Sequence, residues 1–191
     1  MKCNAMLISM LFMVLMAVGV LAQDANLEVE VLPGISPDNP LYGLDTALDN
    51  LRVALTAPGI EKARVRLEIA QERVAEVEKM AKLNKLKEAS IAQAEEQKQI
   101  AEVEKIKDTL DADKKAELQA KLYKHILVLQ RVREKVPEQA RSGIDNALTN
   151  SRKSFDRLQA SLPEALRKSP ENLTLEITTG KVRIVREKTN V

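Results

Sequence analysis

The longest stretch without a helix breaker decides the architecture of this chain. No proline stands between Pro58 and Pro137, and no glycine between Gly59 and Gly143. The residues between are mostly Ala, Glu, Lys, Gln, Leu and Arg, the types that lose least on entering a helix. Hairpins and sheets need the punctuation this stretch lacks. It therefore predicts helices that run back and forth.

Apolar spacing counts those helices. Leu41, Leu44, Leu48, Leu51 and Leu55 step by three and four, and Pro58-Gly59 closes the run. Ala63, Leu67, Ala70, Val74, Val77 and Ala81 keep the same rhythm. So do Leu118, Leu122, His125, Leu129, Val132 and Val136, and nearly so Ala140, Ile144, Leu148, Ser151, Phe155, Leu158 and Leu162. A mean step of about 3.5 is the seam of helices packed at a shallow angle. Pro137 suits the first turn of the last helix, where a missing N–H costs nothing.

Residues 61–110 would reach ~75 Å as one helix. Gln71–Lys79 is echoed by Gln97–Lys105. An offset of 26 residues turns the second stripe about 80° from the first. One continuous helix would present no single seam, so a break near Leu83-Asn84-Lys85 is expected. Asp111, a good N-cap, opens the next helix. Glu78 with Lys82, Asp111 with Lys115 and Glu117 with Lys121 are acid-before-base pairs at i,i+4, each worth ~0.2–0.5 kcal/mol on a solvated face.

The ends read differently. Leu173–Ile177 and Val182–Ile184 alternate with period two around Thr179-Gly180, the pattern of a β-hairpin. Leu27–Val31 alternates too and is expected to supply a third strand or leave the hairpin on the helices. The fold class is thus mainly α: an antiparallel bundle of about five helices with coiled-coil-like seams and a small C-terminal β-hairpin.

The N-terminus reads as an address. Lys2 precedes an uncharged, mostly apolar run from Ala5 to Ala22, and Val20-Leu21-Ala22 offers a cleavage site before Gln23. This is the pattern of a secretory signal peptide, with an uncleaved membrane anchor over residues 5–22 as the alternative. The expected parts are a signal peptide (1–22), an extended Pro-rich segment (23–40), a helical bundle (41–162) and a linker with the hairpin (163–191).

Setting residues 1–22 aside removes Cys3, the only cysteine, and five of six methionines. The remainder is about one-third charged, against a usual quarter. A disulfide scaffold, a thiol enzyme and a cysteine-bound zinc are excluded. The formal net charge is only +2, and no five like charges run together, so nucleic acid is not an expected partner. The serines have no nucleophile-elbow context, and no glycine-rich phosphate loop is present.

His125 is the only histidine. It sits on a seam with no acid on its own stripe, so a packed histidine is expected, not a ligand or a base. Glu68, Glu72 and Glu76 lie at helical spacing, but Glu-x-x-His metal motifs cannot be assembled, so a solvated face is expected. No catalytic residue, metal or cofactor is assigned. Asn172-Leu173-Thr174 is a glycosylation triplet. Three prolines in eight residues, Pro33, Pro37 and Pro40, make a stiff approach to the first helix. Leu41, Tyr42 and Leu44 are expected to plug into the core and anchor it.

The run Pro33–Asp45, with Leu51–Thr56 after it, resembles an uncharacterised helical family, domain of unknown function 5667. So does His125–Ile144, with Ala147 and Ser151 following. The resemblance covers roughly residues 32–162. It implies an extracytoplasmic all-helical domain of archaea and some bacteria, with no activity to carry over. It also implies that His125 and Pro137 belong to a helix-joining pattern. The expected function is a non-enzymatic scaffold or binding module of the cell envelope, contacting a protein, a surface polymer or itself. The alternatives are a membrane-tethered sensor, with the membrane a partner only if residues 5–22 are retained, and a chaperone-like holder of unfolded chains.

Overall fold

The computed structural model describes residues 33–167 in full and the backbone of 173–178 and 181–186. The expected signal segment, the strand at Leu27–Val31 and the glycosylation triplet's Asn172 lie outside the described residues. Five α-helices follow in order: α1 (Tyr42–Leu55), α2 (Ile60–Lys82), α3 (Leu86–Lys107), α4 (Ala112–Lys135) and α5 (Glu138–Ala160), then a 3₁₀ turn at Glu164–Leu166. The mainly helical class is observed.

The long stretch breaks where the sequence predicted. Asn84 takes φ 57°, a left-handed conformation that asparagine tolerates. Its N–H donates to the Ala81 carbonyl, and that of Lys85 to Met80. These two bonds are a Schellman close, which satisfies the last carbonyls of α2 and turns the chain back. At the next corner Asp111 caps α4, its carboxylate accepting from the Lys114 N–H at 2.9 Å. Val136 leaves α4 with extended backbone, and Pro137 stands one position before α5.

Helices α2 to α5 form a four-cornered bundle. Helix α2 borders α3 and α4, and α5 borders the same two, leaving α3 and α4 diagonal. Arg64, early in α2, bonds Glu117, early in α4, at 2.6 Å. Those two helices therefore run parallel, and α3 and α5 run against them. Gln93 of α3 donates to the Gly143 carbonyl of α5. A Cβ on Gly143 would meet the Gln93 amide, so a larger residue there must displace that side chain and its bond.

The core follows three of the four seams. Every member of the α2 and α4 seams is buried, as is the α5 seam apart from half-buried Ala140. The echo also lands inside: Val74 and Val77 of α2, and their counterparts Ile100 and Val103 of α3, are all buried.

The α1 seam is the exception, and it corrects the expected anchoring. Leu41, Leu44, Leu48, Leu51 and Leu55 are 53–79% exposed. Helix α1 turns the other face down. Val53 is buried, Tyr42, Asp45 and Asp49 are half-buried, and α2 is its main neighbour. Leu41 and Leu44 do not plug into the core. The reason lies in what α2 presents beneath.

Candidate functional site: an ion latch under the N-terminal strap

Arg73 of α2 is 1% exposed. A buried guanidinium needs partners, because an unpaired charge away from water costs several kcal/mol. It donates to Glu76 on its own helix at 2.6 Å, to Asp45 of α1 at 2.8 Å, and to Asp49 of α1. The Tyr42 ring lies against it, 5.3 Å from guanidinium carbon to ring centroid, within cation–π range. The acid face of α1 is the only face of that helix that can satisfy this arginine. The leucines are left outside.

The Pro-rich strap covers the same site. The position of a Cβ on Gly34 is 3.1 Å from Glu76 Oε1 and 3.4 Å from Asp45 Oδ2, so the strap's backbone lies on the carboxylates. Ser36 is buried and its hydroxyl accepts from Lys79 at 2.9 Å. Asp38 accepts from Lys85 at 2.7 Å. The Asn39 side chain accepts from the Leu41 N–H at 2.9 Å and holds the turn into α1. Pro37 and Pro40 stiffen the path without being buried themselves. Strap, α1 and α2 thus meet on one arginine.

The latch is overcharged. One cation faces three carboxylates, a formal charge of −2 if all are ionised. Burial, reinforced by Asp45 and Glu72, pushes the Glu76 carboxyl up to about 7 against the pull of Arg73. Burial and then Asp49 also raise Glu72. Burial pushes the Tyr42 phenol up to about 12. Burial opposes the charge on Arg73, but hydrogen bonds to Glu76 and Asp45 more than offset it and hold its pKa above the ordinary value.

A pH dependence follows. Between the ordinary carboxyl range and pH 7 the folded chain holds a proton on Glu76 that the unfolded chain has lost. Stability therefore falls as pH rises through about 7. Urea unfolding at pH 5.5 and 8.5 is expected to show a loss on the order of 2 kcal/mol in the wild type. Glu76→Gln keeps the acceptor for Arg73 without the charge and is expected to flatten that slope. An equal slope in both proteins would contradict the assignment. Groups held low, such as Asp38 by its hydrogen bond from Lys85 and Glu102 by that from Lys105, titrate well below this window.

Two expectations are corrected here. Glu76 is fully buried, Glu72 half-buried, and only Glu68 of the three is exposed. Helical spacing placed all three on a solvated face because it could not register α1 lying over part of it. Of the three i,i+4 pairs, Glu78–Lys82 forms at 2.5 Å, but Asp111 pairs with Lys114, and Glu117 pairs with Arg64 of α2.

The second buried polar feature crosses the bundle. His125 is fully buried, as the seam predicted, and its Nε2 sits 2.7 Å from Glu96 Oε1 on the diagonal helix α3. The acid absent from its own stripe is supplied across the core. His125 Nδ1, Glu96 Oε2, both ends of the Gln119 amide and the Ser151 hydroxyl are buried without hydrogen-bond partners among the described residues. No cluster of three or more metal-ligating side chains occurs among the described residues. No helix among them is long and apolar enough to cross a membrane.

Arg73 and its carboxylates were individually invisible as a site, since each is an ordinary letter in a charged helical alphabet. The signal was the strap, where Gly34, Ser36, Asp38, Asn39, Tyr42 and Asp45 each prove to have a contact to make. No curated protein and no solved structure matches the chain. A family match covers residues 34–139, from the strap that seals the latch to the start of α5, so the rest of α5, where the resemblance was also expected, lies past the matched stretch. The chain belongs to the family described as "Domain of unknown function (DUF5667)".

Proposed function

We propose that the protein is a non-enzymatic binding module of the cell envelope, working outside the cytoplasm, and that the leucine face of α1 is its working surface. One observation carries this reading: five leucines in a row face solvent on a helix whose polar face is spent on a buried arginine. Contiguous apolar surface of this kind is uncommon on a soluble monomer and marks contact sites. The export-like pattern of residues 5–22 supports the address. The burial of His125 supports a structural role for it, because no substrate reaches a side chain with no exposed surface.

The C-terminal hairpin belongs to the same proposal. Its support is the period-two alternation and an antiparallel register that sets Leu175 opposite Ile184 and Thr178 opposite Lys181.

The test is made on the protein in its own host. Fractionation with N-terminal sequencing is expected to find it outside the cytoplasm, starting at Gln23. Crosslinking there is expected to trap a complex that Leu44→Asp/Leu51→Asp no longer forms. A cytosolic protein that keeps Met1, or crosslinking indifferent to the two leucines, would overturn the reading.

A further inference from the structure

We infer that the occupant of the leucine face is a second copy of this chain, paired through α1 in an antiparallel dimer. The inference rests on the reading of α1 as a contact surface and names the partner.

The spacing comes first. Steps of three, four, three and four place Leu41, Leu48 and Leu55 at one core position of a heptad and Leu44 and Leu51 at the other. A sustained leucine seam of this kind interlocks with another helix of the same spacing. The five leucines, each more than half exposed, carry on the order of 500 Å² per copy. Covering two such faces withdraws about 1,000 Å², the area at which specific contacts between proteins begin.

The face is also reachable. At about 100° per residue the leucines centre roughly 125° around the helix from Tyr42, Asp45, Asp49 and Val53, which meet α2. A second helix can lie on the leucines without meeting the bundle beneath. The latch prevents the alternative, in which α1 rolls over to bury its own leucines, because Arg73 would then lose Asp45 and Asp49.

The small residues of one flank select the direction. The flank of the seam nearest the bundle carries Asp45 and Arg52, and the other flank carries only Ala47 and Ala54. An antiparallel pair brings like flanks together, leaving Asp45 on Arg73 and Arg52 on Glu68 within each copy. Leu48 then packs on Leu51 of the second copy, and Leu44 on Leu55. The two alanine flanks let the backbones approach. A parallel pair sets each charged flank against alanine and gains nothing. A twofold axis between Leu48 and Leu51 makes the contact self-complementary and closed. A lipid surface is disfavoured, since Arg52 is the only basic residue of α1 and is already paired with Glu68, whereas helices that lie on membranes are rich in Lys and Arg.

The test uses the full chain with Cys3→Ser, so that one introduced thiol reports. Leu48→Cys with a short bis-maleimide is expected to give a dimer of this chain, and Lys153→Cys, exposed on α5, none. Sizing of the otherwise unchanged chain is expected to give a dimer, and of Leu44→Asp/Leu51→Asp a monomer with at least tenfold weaker association. The melting temperature of the otherwise unchanged chain is expected to rise with protein concentration, and that of the variant to match its dilute limit and not depend on concentration. A monomer in every form, equal crosslinking from Lys153→Cys, or vesicle binding that requires the leucines would overturn the dimer. A Leu48→Cys adduct to a different polypeptide would also overturn it while leaving the contact surface standing. If native crosslinking is equally indifferent to the leucines, the surface itself fails.

Discussion

Replacing Arg73 by alanine is expected to cost about 3–5 kcal/mol of stability, because Asp45, Asp49 and Glu76 would remain in place without their cation. The loss is expected to be spatially confined. Seams in α2, α4 and α5 keep the bundle's own apolar contacts, whereas the strap and α1 depend on the arginine and on few other buried groups. Hydrogen exchange should therefore show α1 opening before the rest of the chain, and limited proteolysis should cut first between residues 33 and 55. Arg73→Lys keeps the charge but offers one compact ammonium to carboxylates approached from different sides, so it is expected to recover only part of the loss. The deficit should be larger at pH 8.5 than at pH 5.5, since Glu76 is mostly protonated at the lower value. A loss below about 1 kcal/mol, the level of an exposed ion pair, or uniform opening of all five helices would contradict the latch.

Seams were legible in the sequence where one face of a helix is apolar and the other charged. That held for Ala63 to Ala81, Leu118 to Val136 and Ile144 to Leu162, all buried. It failed for α1, which has two faces able to be buried. Burying half-exposed leucines is worth about 1 kcal/mol each. Stranding Arg73 costs a similar total. With the two terms so close, spacing alone cannot choose, and the residue that decides lies on a different helix. Helix α3 escaped the seam count for a related reason: its inward positions include Glu96 and Gln99 beside Ala89, Ala92, Ile100 and Val103. The break before α3 was legible as a mismatch of stripes, but the left-handed Asn84 that closes it needed the backbone. The Pro-rich strap stands out in the sequence by its three prolines. Its contacts are not legible there, because Gly34 and Asp45 meet Glu76 and Arg73 only once α2 is folded beneath them.

The Glu96–His125 pair makes a different demand, and a double-mutant cycle separates its parts. His125→Leu is expected to cost about 3–5 kcal/mol, since it leaves the Glu96 carboxylate buried on the diagonal helix with its one hydrogen bond gone. Glu96→Leu leaves the imidazole without its hydrogen-bond partner, a smaller debt of about 1–3 kcal/mol. Changing both to leucine removes the polar pair altogether, and a well-packed apolar replacement is often neutral or stabilising. The double variant is expected to return to within about 1 kcal/mol of the wild type, so the single losses do not add. Additive losses would mean that the two side chains act separately and that the 2.7 Å contact is energetically idle. The non-additive outcome leaves the question of why a bundle would keep such a pair. A diagonal bond forms in only one alignment of α3 against α4, two helices that lie across the bundle from each other. The double variant is therefore expected to match the wild type in urea midpoint while giving broader amide spectra across α3 and α4, because leucine against leucine tolerates a slip that carboxylate against imidazole does not.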